Sequence, residues 1–174
     1  MSMVQVLLHE VESESKTTRR VLERVPEDKL SWKPHAKSMS LGQLALHLAQ
    51  SPGFIANWAL TDAFEFTSDM SGQSEAGSRA EILKAHDESV ANLRKVLSQL
   101  GDAGLGGMWK GVTGGATVME MPKVGLVRFI VMNHTYHHRG QLSVYLRELN
   151  VPVPSIYGPS ADENPFAEPV AAAV

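Results

Sequence analysis

The sequence predicts an all-α fold, a four-helix bundle with long connecting loops. Three observations carry that prediction. Four separate stretches repeat apolar residues at spacings of three and four, and two of them open on a capping-box pattern. Outside them, the one feature suggesting strand is a short candidate hairpin before the last helix. A chain of 174 residues is expected to be a single domain over residues 1–174, with 155–174 as an extended tail. That length buries enough surface to fold without disulfides or a structural metal.

The first helix places Val4, Leu7, Leu8, Val11, Thr18, Val21, Leu22 and Val25 on one face, with a polar break at Glu14 and Ser15. Pro26 ends it, and residues 26–39 carry two prolines and no period, so they read as loop. Ser40 with Gln43 forms a capping box that starts the second helix. Leu44, His47, Phe54 and Trp58 share its stripe, flanked by Leu41, Leu48 and Ile55. Pro52 and Gly53 predict a kink there rather than a stop, because the apolar period continues beyond them.

Residues 62–77 are rich in Ser and Gly and read as irregular. Ser78 with Glu81 is the second capping box, followed by a stripe of Ile82, Leu83, His86, Val90, Leu93, Leu97 and Leu100 that ends at Gly101. Seven of the fourteen glycines fall between 101 and 123, a loop long enough to suggest function. Within it MWKGV and TVMEM flank Thr113–Ala116 as the candidate hairpin, and Met108 and Trp109 are candidates for a lid or substrate wall. The fourth helix is expected over 124–149, with Val127, Ile130 or Val131, His134, His138, Gln141, Leu142 and Tyr145 on one stripe. Gly140 inside it suggests close packing against another helix.

Composition excludes several functions. Without cysteine there is no disulfide framework, thiolate zinc site or cysteine nucleophile, and a reducing cytoplasm fits. Sixteen Lys and Arg against nineteen Asp and Glu leave a formal charge of -3 and no basic stripe, which argues against nucleic acid. The apolar run from Val124 is broken at Arg128, too soon to span a membrane. The first sixteen residues lack the basic start and apolar core of a signal peptide.

Histidine is the oddity. Of seven, three lie at 134, 137 and 138. On a helix, His134 and His138 stand about 40° apart and one turn along a shared face, a spacing by which one helix gives two imidazoles to one metal. They occupy a core stripe, where an unpartnered imidazole is costly. From these residues alone two readings stand: a shared metal, or core histidines satisfied by hydrogen bonds. His47, also inward on its stripe, would complete a three-ligand set that leaves open positions for water or substrate. His86 competes for that role; His137 points sideways, and His9 and His35 read as solvated. Gln141 could fix a ligand imidazole and Tyr145 could donate a proton, with simple packing the alternative for each.

The string NHTYHHRGQLSVYLRELNVPVP, the upstream VPEDKLSWKPHAKSMSLGQLALHLA and the later SIYGPSADE resemble the DinB/YfiT-like proteins, a widespread bacterial group associated with metal-dependent enzymes. The resemblance implies a helical bundle, often a homodimer, that holds zinc or nickel through three histidines matching His47, His134 and His138. It also implies thiol-dependent transfer with a low-molecular-weight thiol such as bacillithiol or mycothiol. The expected function is therefore metal-activated S-transfer to a small-molecule substrate, with the thiol supplied from outside. A metal-dependent hydrolase on the same site is the alternative, as is a non-catalytic metal-binding stress-response bundle acting through a partner.

Overall fold

The computed structural model describes residues 2–67 and 74–167. It contains four long helices and a small three-stranded sheet. Helix α1 is Met3–Leu22, α2 is Leu41–Ala56, and α3 is Arg79–Leu105. The last helix, α4, runs on through three stretches: an α-helical turn at Lys123–Gly125, a π-helical stretch at Leu126–Met132, and an α-helical body at Asn133–Glu148. The strands are β1 Ala63–Glu65, β2 Met108–Thr113 and β3 Ala116–Pro122.

The caps form as the sequence predicts at Ser40, whose hydroxyl accepts from the Gln43 amide while the Gln43 side chain accepts from the Ser40 amide. At Ser78 only half of the box closes. The hydroxyl accepts from the Glu81 amide, but Glu81 reaches back to the Gly77 amide instead. Pro52 sits inside α2, and the chain stays helical to Ala56 before a tighter turn at Asn57–Leu60. Gly53 is there for close approach: a Cβ would lie 2.6 Å from the Ser89 carbonyl oxygen of α3. The Gly53 amide donates to the Ser89 hydroxyl at 2.7 Å.

Three expectations need correction. The all-α reading allowed for one hairpin but not for a three-stranded sheet. The hairpin of β2 and β3 forms, turning at Gly114 and Gly115, which both have positive φ as this tight turn demands. Residues 63–65, expected as loop, add a third strand parallel to β2, with Ala63 opposite Lys110. Three residues are too few to show a period. Second, α3 is broken at Gly101 as expected but resumes for one short turn to Leu105. Third, Gly140 is exposed, with open space where a Cβ would stand, so it marks no close helix contact.

The π-helical stretch was also not foreseen. Its buried residues are Leu126, Val127, Val131 and Met132, two pairs five residues apart, which is the π repeat rather than the α repeat. This wider stretch leads directly into the turn that carries His134.

The buried apolar side chains fall into two clusters. One includes Leu7, Val11, Ile55, Leu93, Val131 and Met132; the other includes Val21, Leu22, Leu44, Ile82, Leu142 and Leu146. Along α1 and α4 the chain runs from the first cluster to the second, and along α2 and α3 it runs back. Between the clusters each helix contributes polar residues: Ser15 and Thr18 from α1, His47 and Ser51 from α2, His86 and Ser89 from α3, and His134, His138 and Arg139 from α4. The candidate site lies in this polar layer. After α4, residues 151–167 wrap back over the helices, tied down by the Arg20–Glu163 and Arg147–Asp162 ion pairs. Among the described residues no helix is long and apolar enough to cross a membrane.

Candidate metal centre

Helix α4 delivers His134 and His138 one turn apart, and α2 brings His47 across from them. The His134 Nε2 lies 2.9 Å from His138 Nε2 and 3.2 Å from His47 Nε2. Their rings meet edge to face, with centroids 4.3 to 5.0 Å apart. Among the described residues this is the one group of three His, Asp or Glu side chains whose ligand atoms converge.

Protons alone satisfy this arrangement poorly. The His138 Nδ1 stands 2.7 Å from the Gln141 Oε1, an acceptor, so Nδ1 carries the hydrogen and Nε2 offers a lone pair. The His134 Nε2 has two close neighbours and at most one proton to give them. A cation would accept all three nitrogens at once. Metal–imidazole bonds of about 2.0–2.1 Å, spread at right angles to tetrahedral angles, separate neighbouring nitrogens by about 2.9–3.3 Å. The separations of 2.9 and 3.2 Å both fit. The group could therefore hold a metal ion.

Electrostatics agrees. Burial, reinforced by the neighbouring His138 and His47 rings, pushes His134 down to about 4. Burial likewise pushes His138 down to about 4, against the opposing hydrogen bond that His138 donates to Gln141. His47 is lowered by burial as well. The folded site keeps its imidazoles neutral at neutral pH, the form that binds metal.

The three rings stand beside a cavity of about 690 Å³ lined by His47 and His134. Phe54, Trp58, Phe66 and Trp109 contribute aromatic walls, and Ile130 and Met119 line it from α4 and β3. Trp109, read from the sequence as a candidate wall, is fully buried and lines the cavity; Met108 is exposed and does not line it. The sequence reading missed Gln50, Ser51 and Phe66. For the first two a signal existed, since 47, 50, 51, 54, 55 and 58 continue the His47 stripe at helical spacing.

The remaining candidates sort themselves. Gln141 contacts His138 directly. Tyr145 lies away from the three rings: its hydroxyl donates to the Met39 carbonyl and its ring meets Trp32 edge to face. Buried His86 does not join the group; its Nε2 donates to the Ser15 carbonyl at 3.1 Å. His9, His35 and His137 are exposed.

Fold and site together define a mostly helical protein with a small sheet and a partly buried three-histidine group that could hold a metal, beside a cavity. The chain belongs to the DinB family, whose sequence profile matches residues 1–168. It is 29% identical to the Bacillus subtilis protein YrdA over 168 residues, covering 92% of this chain and 93% of that one. A DinB-like protein of Bacillus cereus has a similar structure, with a TM-score of 0.68 at 21% identity over 87% of this chain and 95% of that one. The DinB-like protein YjoA of Bacillus subtilis gives 0.64 at 22% identity, covering 83% and 91%.

Proposed function

We propose that this chain is a divalent-metal-dependent enzyme on a four-helix bundle, most simply a thiol-dependent S-transferase. The observation that carries the reading is the convergence of three imidazole nitrogens beside a cavity. A purely structural site would be closed by a fourth protein ligand. His86, a buried histidine outside the group, is turned to Ser15.

His47, His134 and His138 would hold the ion. An ion so held lowers the pKa of a thiol or water in its open positions and makes a nucleophile available at neutral pH. The chain's own contribution is orientation and exclusion of water. Gln141 fixes the His138 tautomer so that its lone pair faces inward. The aromatic walls keep water from the second reactant and position it against the histidines. The thiol has to arrive from solution, because the chain has no cysteine. Zinc or nickel as the ion and a homodimeric assembly belong to this proposal through the resemblance of the histidine strings, and a cytoplasmic setting through the cysteine-free composition.

The test is a screen of zinc- and nickel-loaded protein against small electrophiles, with and without bacillithiol, mycothiol and glutathione, alongside metal analysis of the His47, His134 and His138 triple alanine variant. Thiol-dependent turnover that the triple variant loses together with its metal supports the reading. Turnover without thiol would make the protein a hydrolase. A triple variant that keeps a full equivalent of metal would move the site elsewhere.

A further inference from the structure

The cavity beside the histidines has a chemical character of its own. None of its described lining residues carries a full charge. The polar lining residues are His47, His134, Gln50, Ser51 and Ser74, and Trp58 and Trp109 each add an indole N–H that has no hydrogen-bond partner. The remaining described side chains on the wall are aliphatic, thioether or phenyl. The rings form a continuous assembly: Phe64 stacks on Trp58 at 4.3 Å, Trp58 lies parallel to Trp109 at 6.2 Å, and Phe54 and Phe66 meet Trp58 edge to face at 5.9 and 5.5 Å. A further ring finds offset and edge contacts on such a surface. Away from the histidines, a carboxylate or phosphate would be stripped of water with no lysine or arginine on the described wall to replace it.

We propose that this cavity takes an uncharged, ring-bearing molecule, which enters by its apolar part and turns its one polar group toward His47 and His134. This deepens the enzymatic reading above and rests on it for the reaction, but it concerns the second reactant, not the nucleophile. It also constrains the thiol. Any carboxylates that the thiol carries stay outside the aromatic walls, with only its sulfur reaching the histidines. About 690 Å³ is ample for a two-ring molecule.

The experiment is equilibrium dialysis of the full-length, metal-free protein at pH 7.5 against 2-naphthol and 2-naphthoate, which share a ring system and differ in charge. Leaving metal out removes coordination of the carboxylate as a competing cause. The neutral probe should bind at least about tenfold more tightly than the anion. Phe54→Ala should weaken 2-naphthol several-fold; Phe54 is 56% exposed, so its loss does not threaten the core. Met119→Lys, which adds a cation to the wall, should narrow or reverse the preference. Equal or tighter binding of 2-naphthoate, no measurable binding of either probe, or indifference of 2-naphthol to Phe54→Ala would each overturn the proposal. None of these results depends on metal, so metal content and turnover report separately on the enzymatic reading.

Discussion

His138 and Arg139 are adjacent on α4 and both are buried, yet their polar atoms are treated in opposite ways. The Arg139 guanidinium pairs with Glu14 at 2.7 Å and donates to the Thr18 hydroxyl, the Glu14 carbonyl and the Tyr157 hydroxyl. Tyr157 in turn donates to Glu14, so the charge is enclosed and answered on several sides. One residue earlier, His138 joins two other imidazoles whose inward nitrogens answer one another incompletely. The first arrangement joins α1, α4 and the tail. The second is left with capacity to bind. Two faces of one helix, about 100° apart, thus separate a closed ion-pair network from a group that could hold a metal.

The sharpest break of that comparison is removal of His134. Because its Nε2 neighbours both other nitrogens, His134→Ala should abolish stoichiometric metal binding, measured by metal analysis after gel filtration. In metal-free protein the same change should cost less than about 1 kcal/mol in urea unfolding, since it also removes a buried Nδ1 that has no partner. Glu14→Ala should do the reverse. It leaves Arg139, only 1% exposed in its side chain, without its counter-charge and should cost about 3 kcal/mol while metal still binds. Equal losses of stability in the two variants would erase the distinction.

The histidine side was legible in the sequence because spacing encodes it. His134 and His138 stand four apart, and His47 interrupts an apolar stripe, so periodicity placed all three inward before any coordinates. The Arg139 side was not legible. Its partners lie 121 and 125 positions away on α1 and 18 residues later in the tail, and no local pattern joins such distant groups. The polar break at Glu14 and Ser15 was visible in the sequence, but its purpose was not. The cavity was half visible: α2 supplies lining residues at helical spacing and Trp109 stood out as a candidate wall, whereas Phe66 and Met119 reach it through a sheet whose first strand has only three residues. The π-helical stretch went unread because isolated apolar residues fit either repeat until burial chooses one.

Acid should sharpen the contrast. His134 and His138 sit near 4 in the fold against an ordinary value of 6.5, so the unfolded chain takes up their protons first. The stability of the metal-free protein should be level above about pH 6.5 and fall as pH drops from there toward 4. His134→Ala should flatten that fall. A pH profile that is the same in wild type and variant would mean that these rings do not govern it. Metal binding should also persist to lower pH than for free imidazoles, because proton competition starts late.

Gln141 tests whether the open side has support of its own. It is the one hydrogen-bonding partner seen for an outer ring nitrogen of the three histidines among the described residues. Gln141→Leu should lower metal affinity about 10- to 100-fold while leaving stoichiometry intact at saturating metal. Competitive chelation reads this directly, and an unchanged affinity would show that packing alone orients His138.

The smallest expected effect comes from Gly140, which lies between these residues in sequence but touches neither arrangement. It is exposed, sits in the interior of α4, and a Cβ there would meet nothing within 4 Å. Glycine costs a helix about 0.8–1.0 kcal/mol relative to alanine, chiefly through the backbone freedom lost on folding. Gly140→Ala should therefore stabilise the protein by somewhat under about 1 kcal/mol, a small rise in the urea midpoint with an unchanged slope. Metal affinity and the effect of Glu14→Ala should stay as they were, because stiffening α4 alters neither side's partners. If Gly140→Ala instead weakens metal binding, the histidines depend on flexibility of the helix itself. The division between the two sides would then belong to α4 as a moving whole rather than to the faces it presents.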